Sequence, residues 1–171
     1  MPLVFQYGSN TSVERLNCPK RLDGAAKAVG VAFTKDDYEF DFTVYSGTND
    51  CAAADLVPGR GRKIWGVIYD IPEERIYREK CPKNINCLDR IEGEGINYER
   101  KPIKVCWADG VKVEEPVLTY LVRKRSFDIQ TNEEYVKHIL KGLASHPIPN
   151  EYIEYVQSRI LVNNPDLKGR I

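Results

Sequence analysis

The sequence predicts an α+β fold, a small mixed β-barrel-like sheet with flanking helices. Three observations point there. Apolar stretches with the two-residue period or the β-branched content of strands fill most of the first seventy or so residues. The period changes after Pro72, and roughly the last forty residues read as amphipathic helix. Strands early and helices at the close is the order of an α+β domain rather than of alternating βαβ units. With 171 residues, against about 150 per domain, one domain over 1–171 is expected.

The elements follow in order. Leu3 to Tyr7 is a short buried strand that Gly8-Ser9-Asn10 breaks. Thr11 with Glu14 reads as a capping box for a short helix from Ser12 to about Leu16. Ala28 to Phe33 is a second strand, and Tyr38, Phe40 and Phe42 alternate with acidic residues in a third. Gly47 to Asp50 is a loop, Cys51 to Val57 a strand of small side chains, and Pro58-Gly59-Arg60-Gly61 a turn. Ile64 to Ile71 is aromatic and β-branched, hence strand. Helical character is predicted over Glu73–Lys80 and Ile85–Glu92, the latter ended by Gly93-x-Gly95. Tyr98 to Ala108 reads as strand, Asp109-Gly110 as a hairpin turn, and Val117 to Val122 as the returning strand. Thr131 and Glu134 form a second capping box, for a helix whose Tyr135, Ile139, Leu140 and Leu143 share a face. Ile153, Val156 and Ile160 mark a final helix.

Composition excludes several classes. Lys and Arg number 25, as do Asp and Glu, so no basic surplus exists to hold nucleic acid. No apolar run approaches the roughly 18 residues of a membrane span. The start of the chain shows no basic region followed by a long apolar stretch, so no secretory signal is expected. The five cysteines, Cys18, Cys51, Cys81, Cys87 and Cys106, are scattered with no Cys-x-x-Cys. They read as reduced, partly buried thiols of a cytoplasmic protein, and none has an obvious base beside it. His138 and His146, eight apart, make no metal pair, so no zinc signature is present.

Two segments can carry chemistry. At Tyr7-Gly8-Ser9-Asn10 a strand ends, a glycine turns the chain and a capped helix follows. Such a turn presents backbone N–H groups to an anion, although an ordinary strand-to-helix turn has the same pattern. At Leu88-Asp89-Arg90-Ile91-Glu92-Gly93-Glu94 a glutamate meets a helix end between glycines. Held in a cleft near backbone, Glu92 would have the raised pKa of an acid–base catalyst; on a solvated face it would not. Spacing alone leaves Glu94 open as the alternative.

These segments together resemble the γ-glutamylcyclotransferase-like family. Phe5-Gln6-Tyr7-Gly8-Ser9-Asn10 with Glu14-Arg15 resembles its hallmark loop, and Trp65-Gly66-Val67-Ile68-Tyr69 its central strand. Leu88-Asp89-x-x-Glu92-Gly93 with Tyr98 is similar to its catalytic segment, Thr119-Tyr120-Leu121 to a later strand, and Tyr135 to Leu143 with Pro149-x-x-Tyr152 to its closing helices. The resemblance runs in order along nearly the whole chain.

The resemblance implies an enzyme that cyclises a γ-glutamyl group to 5-oxoproline and releases the attached amine or amino acid. By position, Tyr7, Gly8, Ser9 and Asn10 match the substrate loop, Glu92 the acid/base, and Tyr98 and Tyr120 the pocket wall. It implies a small-molecule γ-glutamyl substrate, no metal and no organic cofactor, and leaves a homodimer open. Asn10, where leucine would follow Ser9, makes the chain less like the glutathione-specific branch. Thr48 to Leu56 lacks the glycine pair of the mammalian-type enzyme and carries Cys51 and alanines instead, which bears on substrate identity. Two other readings stand beside the cyclotransferase. One is a tailoring enzyme that removes a γ-glutamyl protecting group in secondary metabolism. The other is a non-catalytic binder of small amino compounds, which would have no need of a buried base.

Overall fold

The computed structural model describes residues 2–59 and 61–171. Arg60, in the expected turn after Pro58, lies outside the described residues. Six strands form one curled mixed sheet: β1 (Leu3–Gln6), β2 (Lys27–Thr34), β5 (Trp65–Asp70), β6 (Tyr98–Pro102), β7 (Val105–Trp107) and β8 (Val117–Val122). Their order is β6-β8-β1-β5-β2-β7, with β1 parallel to β8 and every other neighbouring pair antiparallel. The remaining strands, β3 (Tyr38–Ser46) and β4 (Cys51–Pro58), pair as a separate hairpin with a bulge between Phe42 and Val44.

The curl follows from chain connectivity. β6 and β7 lie at opposite edges of the six-stranded sheet, yet only Ile103 and Lys104 separate them. Three peptide steps reach at most about 11 Å, whereas the edges of a flat sheet this wide would stand about 24 Å apart. The sheet therefore bends until its edges nearly meet. The crossing is tied to both sides: Ile103 N–H donates to Val117 O at 2.9 Å, and Lys35 N–H donates to Lys104 O at 2.9 Å. The expected single strand over Tyr98–Ala108 is corrected accordingly. It is two strands, parted after Pro102, which serve opposite edges.

Four helices flank the sheet: α1 (Val13–Leu16), α2 (Leu88–Glu92), α3 (Glu133–Ala144) and α4 (Asn150–Asn163). Both expected capping boxes shift by one residue. Thr11 is fully buried and its hydroxyl donates to Gly8 O at 2.8 Å, so Ser12 caps α1 by accepting from Arg15 N. Thr131 is likewise buried, and Asn132 caps α3 by accepting from Tyr135 N at 2.9 Å. The expected helix over Glu73–Lys80 is instead two 3₁₀ turns, Glu73–Arg75 and Arg78–Lys80. Bonds from Asp89 N to Ile76 O and from Arg78 N to the Asp89 carboxylate claim the backbone between them. α2 starts three residues later than expected, because the Arg90 guanidinium occupies the Cys81, Pro82 and Ile85 carbonyls.

Two contacts place the loop after β1. α3 lies directly on the 3₁₀ turn Ser9–Thr11: a Cβ on Gly142 would come 2.2 Å from Thr11 Oγ1 and 2.5 Å from Ser12 N. The Tyr69 hydroxyl from β5 donates towards Asn10 O at 2.9 Å and Thr11 O at 3.1 Å. The β3–β4 hairpin is fastened by fully buried Asp55, which accepts from Thr43 Oγ1, Val122 N and Arg125 Nε at 2.8, 3.2 and 2.6 Å.

Candidate active site

Where β1 runs out, Gly8 lets the chain pass 3.3 Å from Ala54 Cβ of β4, measured to the Cβ it does not have. The Ser9–Thr11 turn follows, and the first N–H groups of such a turn have no acceptor within it. Across a recess, α2 ends at Gly93, whose left-handed backbone (φ 63°) closes the helix directly after Glu92. The Asn10 amide spans the gap, with Nδ2 donating to Glu92 Oε1 at 2.6 Å. Its Oδ1 in turn accepts from Arg21 Nη2 at 2.5 Å, which fixes which end of the amide faces Glu92.

The recess holds ≈ 30 Å³, about the space of a water, and is lined by Tyr7–Asn10, Glu92, Tyr98 and Tyr120 together with Gln6, Ala54 and Tyr135. All seven residues singled out from the sequence are thus brought to one cavity. It adjoins a wider cleft of ≈ 570 Å³, which Ser9, Glu92, Tyr98 and Tyr135 also border. Glu94 lines neither, and its backbone is tied to Arg78 and Asp89. Of the two adjacent glutamates, only Glu92 faces the cavity.

Burial raises the Glu92 carboxyl above its ordinary value, and the positive charge of Arg21, the Asn10 hydrogen bond and the charge of Arg15 oppose that rise. The phenols are neutral walls. Tyr7 and Tyr98 are pushed well up, chiefly by burial. Burial and the Asp89 hydrogen bond push Tyr120 up as well. Each spends its hydrogen within the protein: Tyr7 on Tyr120 O at 2.7 Å, Tyr98 on Ala54 O at 2.6 Å, and Tyr120 on Asp89 Oδ1 at 2.6 Å. Tyr135 differs. Its oxygen accepts from Ala54 N at 2.9 Å, and its own hydrogen has no acceptor among the described residues. Burial raises it to about 12.

Gln6, Arg15, Arg21 and Tyr135 are site residues that sequence reasoning did not select. Gln6 stood inside the strand, and Tyr135 was read as core. The available signal was the resemblance, whose quoted stretches contain Gln6, Arg15 and Tyr135 but not Arg21. Gln6 is 6% exposed and its Nε2 has no partner among the described residues, so a buried donor is left over beside the recess.

The fold and the family are matched in known proteins. Among curated proteins none matches the chain. A solved structure of a "Gamma-glutamyl cyclotransferase" superposes with a TM-score of 0.74 at 25% identity, over 91% of this chain and 86% of that one. An uncharacterised protein from Homo sapiens, loc79017, gives 0.74 at 26% identity over 91% and 85%. YkqA from Bacillus subtilis shares the fold, with a TM-score of 0.74 at 23% identity; the match spans 93% of this chain and 54% of that one. The family model described as "Gamma-glutamyl cyclotransferase, AIG2-like" matches residues 4–141. The chain belongs to that family of γ-glutamyl cyclotransferases, enzymes of small γ-glutamyl substrates.

Proposed function

We propose that this protein cyclises a γ-glutamyl group to 5-oxoproline and releases the attached amine, with Glu92 as general base and then general acid. The observation that carries this reading is the Glu92 carboxylate, half-buried and held 2.6 Å from Asn10 Nδ2, in the recess lined by the Tyr7–Asn10 loop.

The substrate's α-ammonium, with a pKa near 8, must lose a proton before its nitrogen attacks the γ-carbonyl. A carboxylate raised above its ordinary value is a better base for that step than a solvated one. Glu92 takes the proton and the amine nitrogen bonds to the γ-carbonyl carbon. The tetrahedral intermediate then breaks its bond to the leaving nitrogen, which takes the proton back from Glu92, and the ring nitrogen sheds its second proton, so that the products are the lactam and the protonated amine. Ring closure is intramolecular, so the pocket mainly has to hold the chain folded in an attack-ready shape.

The N–H groups at the start of the Ser9–Thr11 turn suit the α-carboxylate. Gln6 Nε2 and the uncommitted Tyr135 hydroxyl are donors for the carbonyl oxygen as charge develops on it. Tyr98 and Tyr120, with their hydrogens already spent, exclude water and shape the ring. One domain over 1–171 accounts for this site, since β1, α2 and α3 all contribute to it.

The test is a screen of γ-glutamyl amines and γ-glutamyl amino acids for 5-oxoproline release. Wild type is expected to release it and Glu92→Gln to lose about 10²–10⁴-fold in kcat. Near wild-type turnover in Glu92→Gln overturns the assignment. A tailoring role would use the same steps, and the screen separates it by the amine released.

A further inference from the structure

We infer that Tyr69 and His146 are positioning residues: they hold the backbone at Asn10 and Thr11, and through the Asn10 side chain they hold the Glu92 carboxylate in working geometry. This rests on the role of Glu92 proposed above and adds the residues that place it.

Neither residue lines the recess or the cleft. Tyr69 of β5 is fully buried, and burial pushes its phenol well up, so it keeps its hydrogen. That hydrogen is shared between Asn10 O at 2.9 Å and Thr11 O at 3.1 Å. His146 lies 135 residues beyond Thr11, in the segment between α3 and α4, and its Nε2 stands 2.8 Å from Thr11 O. A carbonyl oxygen only accepts, so Nε2 carries the hydrogen and donates it. Thr11 O thus has a donor of its own, which leaves the Tyr69 hydrogen to the shorter bond at Asn10 O. The two earlier carbonyls are closed locally. Gly8 O accepts from Thr11 N at 3.1 Å and Thr11 Oγ1 at 2.8 Å, and Ser9 O accepts from Ser12 N at 3.3 Å. Among the described residues, the loop is therefore tied to the rest of the fold at its carbonyls by Tyr69 and His146 alone.

The consequence falls on Glu92. Asn10 has a short side chain committed at both ends: Oδ1 accepts from Arg21 Nη2 at 2.5 Å, and Nδ2 donates to Glu92 Oε1 at 2.6 Å. Rotation of the Asn10–Thr11 peptide would carry that amide off its partners, and misplacement by about 1 Å can cost about 10²-fold in rate. The Asn10 bond also opposes the effect of burial on Glu92, so its loss lets the carboxyl rise further. Arg15 and Arg21 supply the positive charge around Glu92, and Tyr7, Tyr98, Tyr120 and Tyr135 face it as neutral phenols. No second carboxylate lines the recess among the described residues. Protonation of His146 keeps the hydrogen on Nε2, so the tie to Thr11 O survives it.

The experiment measures pH profiles of kcat/KM for Tyr69→Phe, His146→Ala and His146→Gln. Tyr69→Phe and His146→Ala are expected to lose about tenfold at neutral pH, with the acid limb moved to higher pH. His146→Gln keeps an N–H near the place of Nε2 and should stay close to wild type. In an Asn10→Ala background, Tyr69→Phe and His146→Ala should move the limb no further, because the route through Asn10 is already cut. A lower melting temperature with the limb in place overturns the inference and leaves both residues merely structural. A full further shift in the Asn10→Ala background overturns it too. Should Tyr69→Phe fail to fold, the two His146 variants decide by the same readings. Titration of the Glu92 carboxyl, followed by NMR in the free protein, separates the two ideas. A titration that moves in these variants supports the positioning even if no 5-oxoproline is ever released, an outcome that defeats only the proposed reaction. A titration that stays in place defeats the positioning even if the reaction stands.

Discussion

Asp89 and Glu92 stand three residues apart on the five-residue helix α2, and the protein treats their carboxylates in opposite ways. Asp89 is 1% exposed and fully engaged. One oxygen accepts from the Tyr120 hydroxyl; the other accepts from Arg78 N and pairs with Arg100 at 2.5 Å. Among the described residues, Glu92 has one amide donor and no cation in contact. The first carboxylate is a fastener that holds α2, the turn at Arg78 and β6 together. The second is left with unused lone pairs towards a cavity, as a group meant to accept and return a proton requires.

Substitution at each should therefore fail differently. Asp89→Asn removes the charge that balances Arg100, and loss of a buried pair costs about 3 kcal/mol or more, less here because Arg100 keeps some exposure. Its melting temperature is expected to fall while kcat measured well below that temperature stays near wild type. Glu92→Gln should behave in reverse, with the large loss in kcat given above and no loss of melting temperature. If Asp89→Asn loses turnover as heavily as Glu92→Gln while still folded, the division of labour between the two acids is wrong.

Stability and pH sharpen the same contrast. The folded state raises the Glu92 pKa, chiefly by burial. Its contribution to stability is therefore complete below the unfolded value and lost as pH rises through the folded one. Glu92→Gln removes that loss, so its melting temperature relative to wild type should rise between acid and neutral pH. Catalysis moves the other way: the base form is required, so kcat/KM falls as pH drops through the Glu92 pKa. Arg21→Gln removes the largest influence that opposes burial and should shift this acid limb to higher pH, as should Asn10→Ala. An acid limb that stays in place in both variants would mean that another group titrates.

The α+β class and most strand positions were legible in the sequence, because apolar period and glycine placement are local signals; the Tyr7–Asn10 and Glu92 segments were picked out by the family resemblance, since the local pattern alone left each open. What was not legible depended on distant partners. Thr11 and Thr131 have the right spacing for capping boxes, but burial turns each away from the cap and the next residue takes over. Glu73–Lys80 has helical composition, yet Asp89, eleven residues after Arg78, claims the backbone at Ile76 and Arg78. Tyr98–Ala108 reads as one strand because nothing local says that the sheet curls and both of its edges need that segment. Arg15 and Arg21 look like solvated charges until the fold leaves them beside a cavity with neutral partners.

The smallest expected effect concerns the tyrosines, and it tests whether Glu92 is the only proton carrier at the recess. Tyr98 spends its hydrogen on Ala54 O, whereas the Tyr135 oxygen accepts from Ala54 N and keeps its own hydrogen. Tyr98→Phe leaves that carbonyl without its donor and should cost about 1–2 kcal/mol of stability. The ring wall survives, so kcat at a permissive temperature should change by less than about threefold, a loss under roughly 1 kcal/mol in the barrier. Tyr135→Phe should lower kcat more than Tyr98→Phe, because it removes a donor that can reach the developing oxyanion. Both variants are read by 5-oxoproline release and thermal unfolding side by side. A fall of a hundredfold in Tyr98→Phe would make its phenol a proton donor in the reaction and take that role from Glu92. Equal, small effects in the two variants would reduce Tyr135 to a wall like its neighbours.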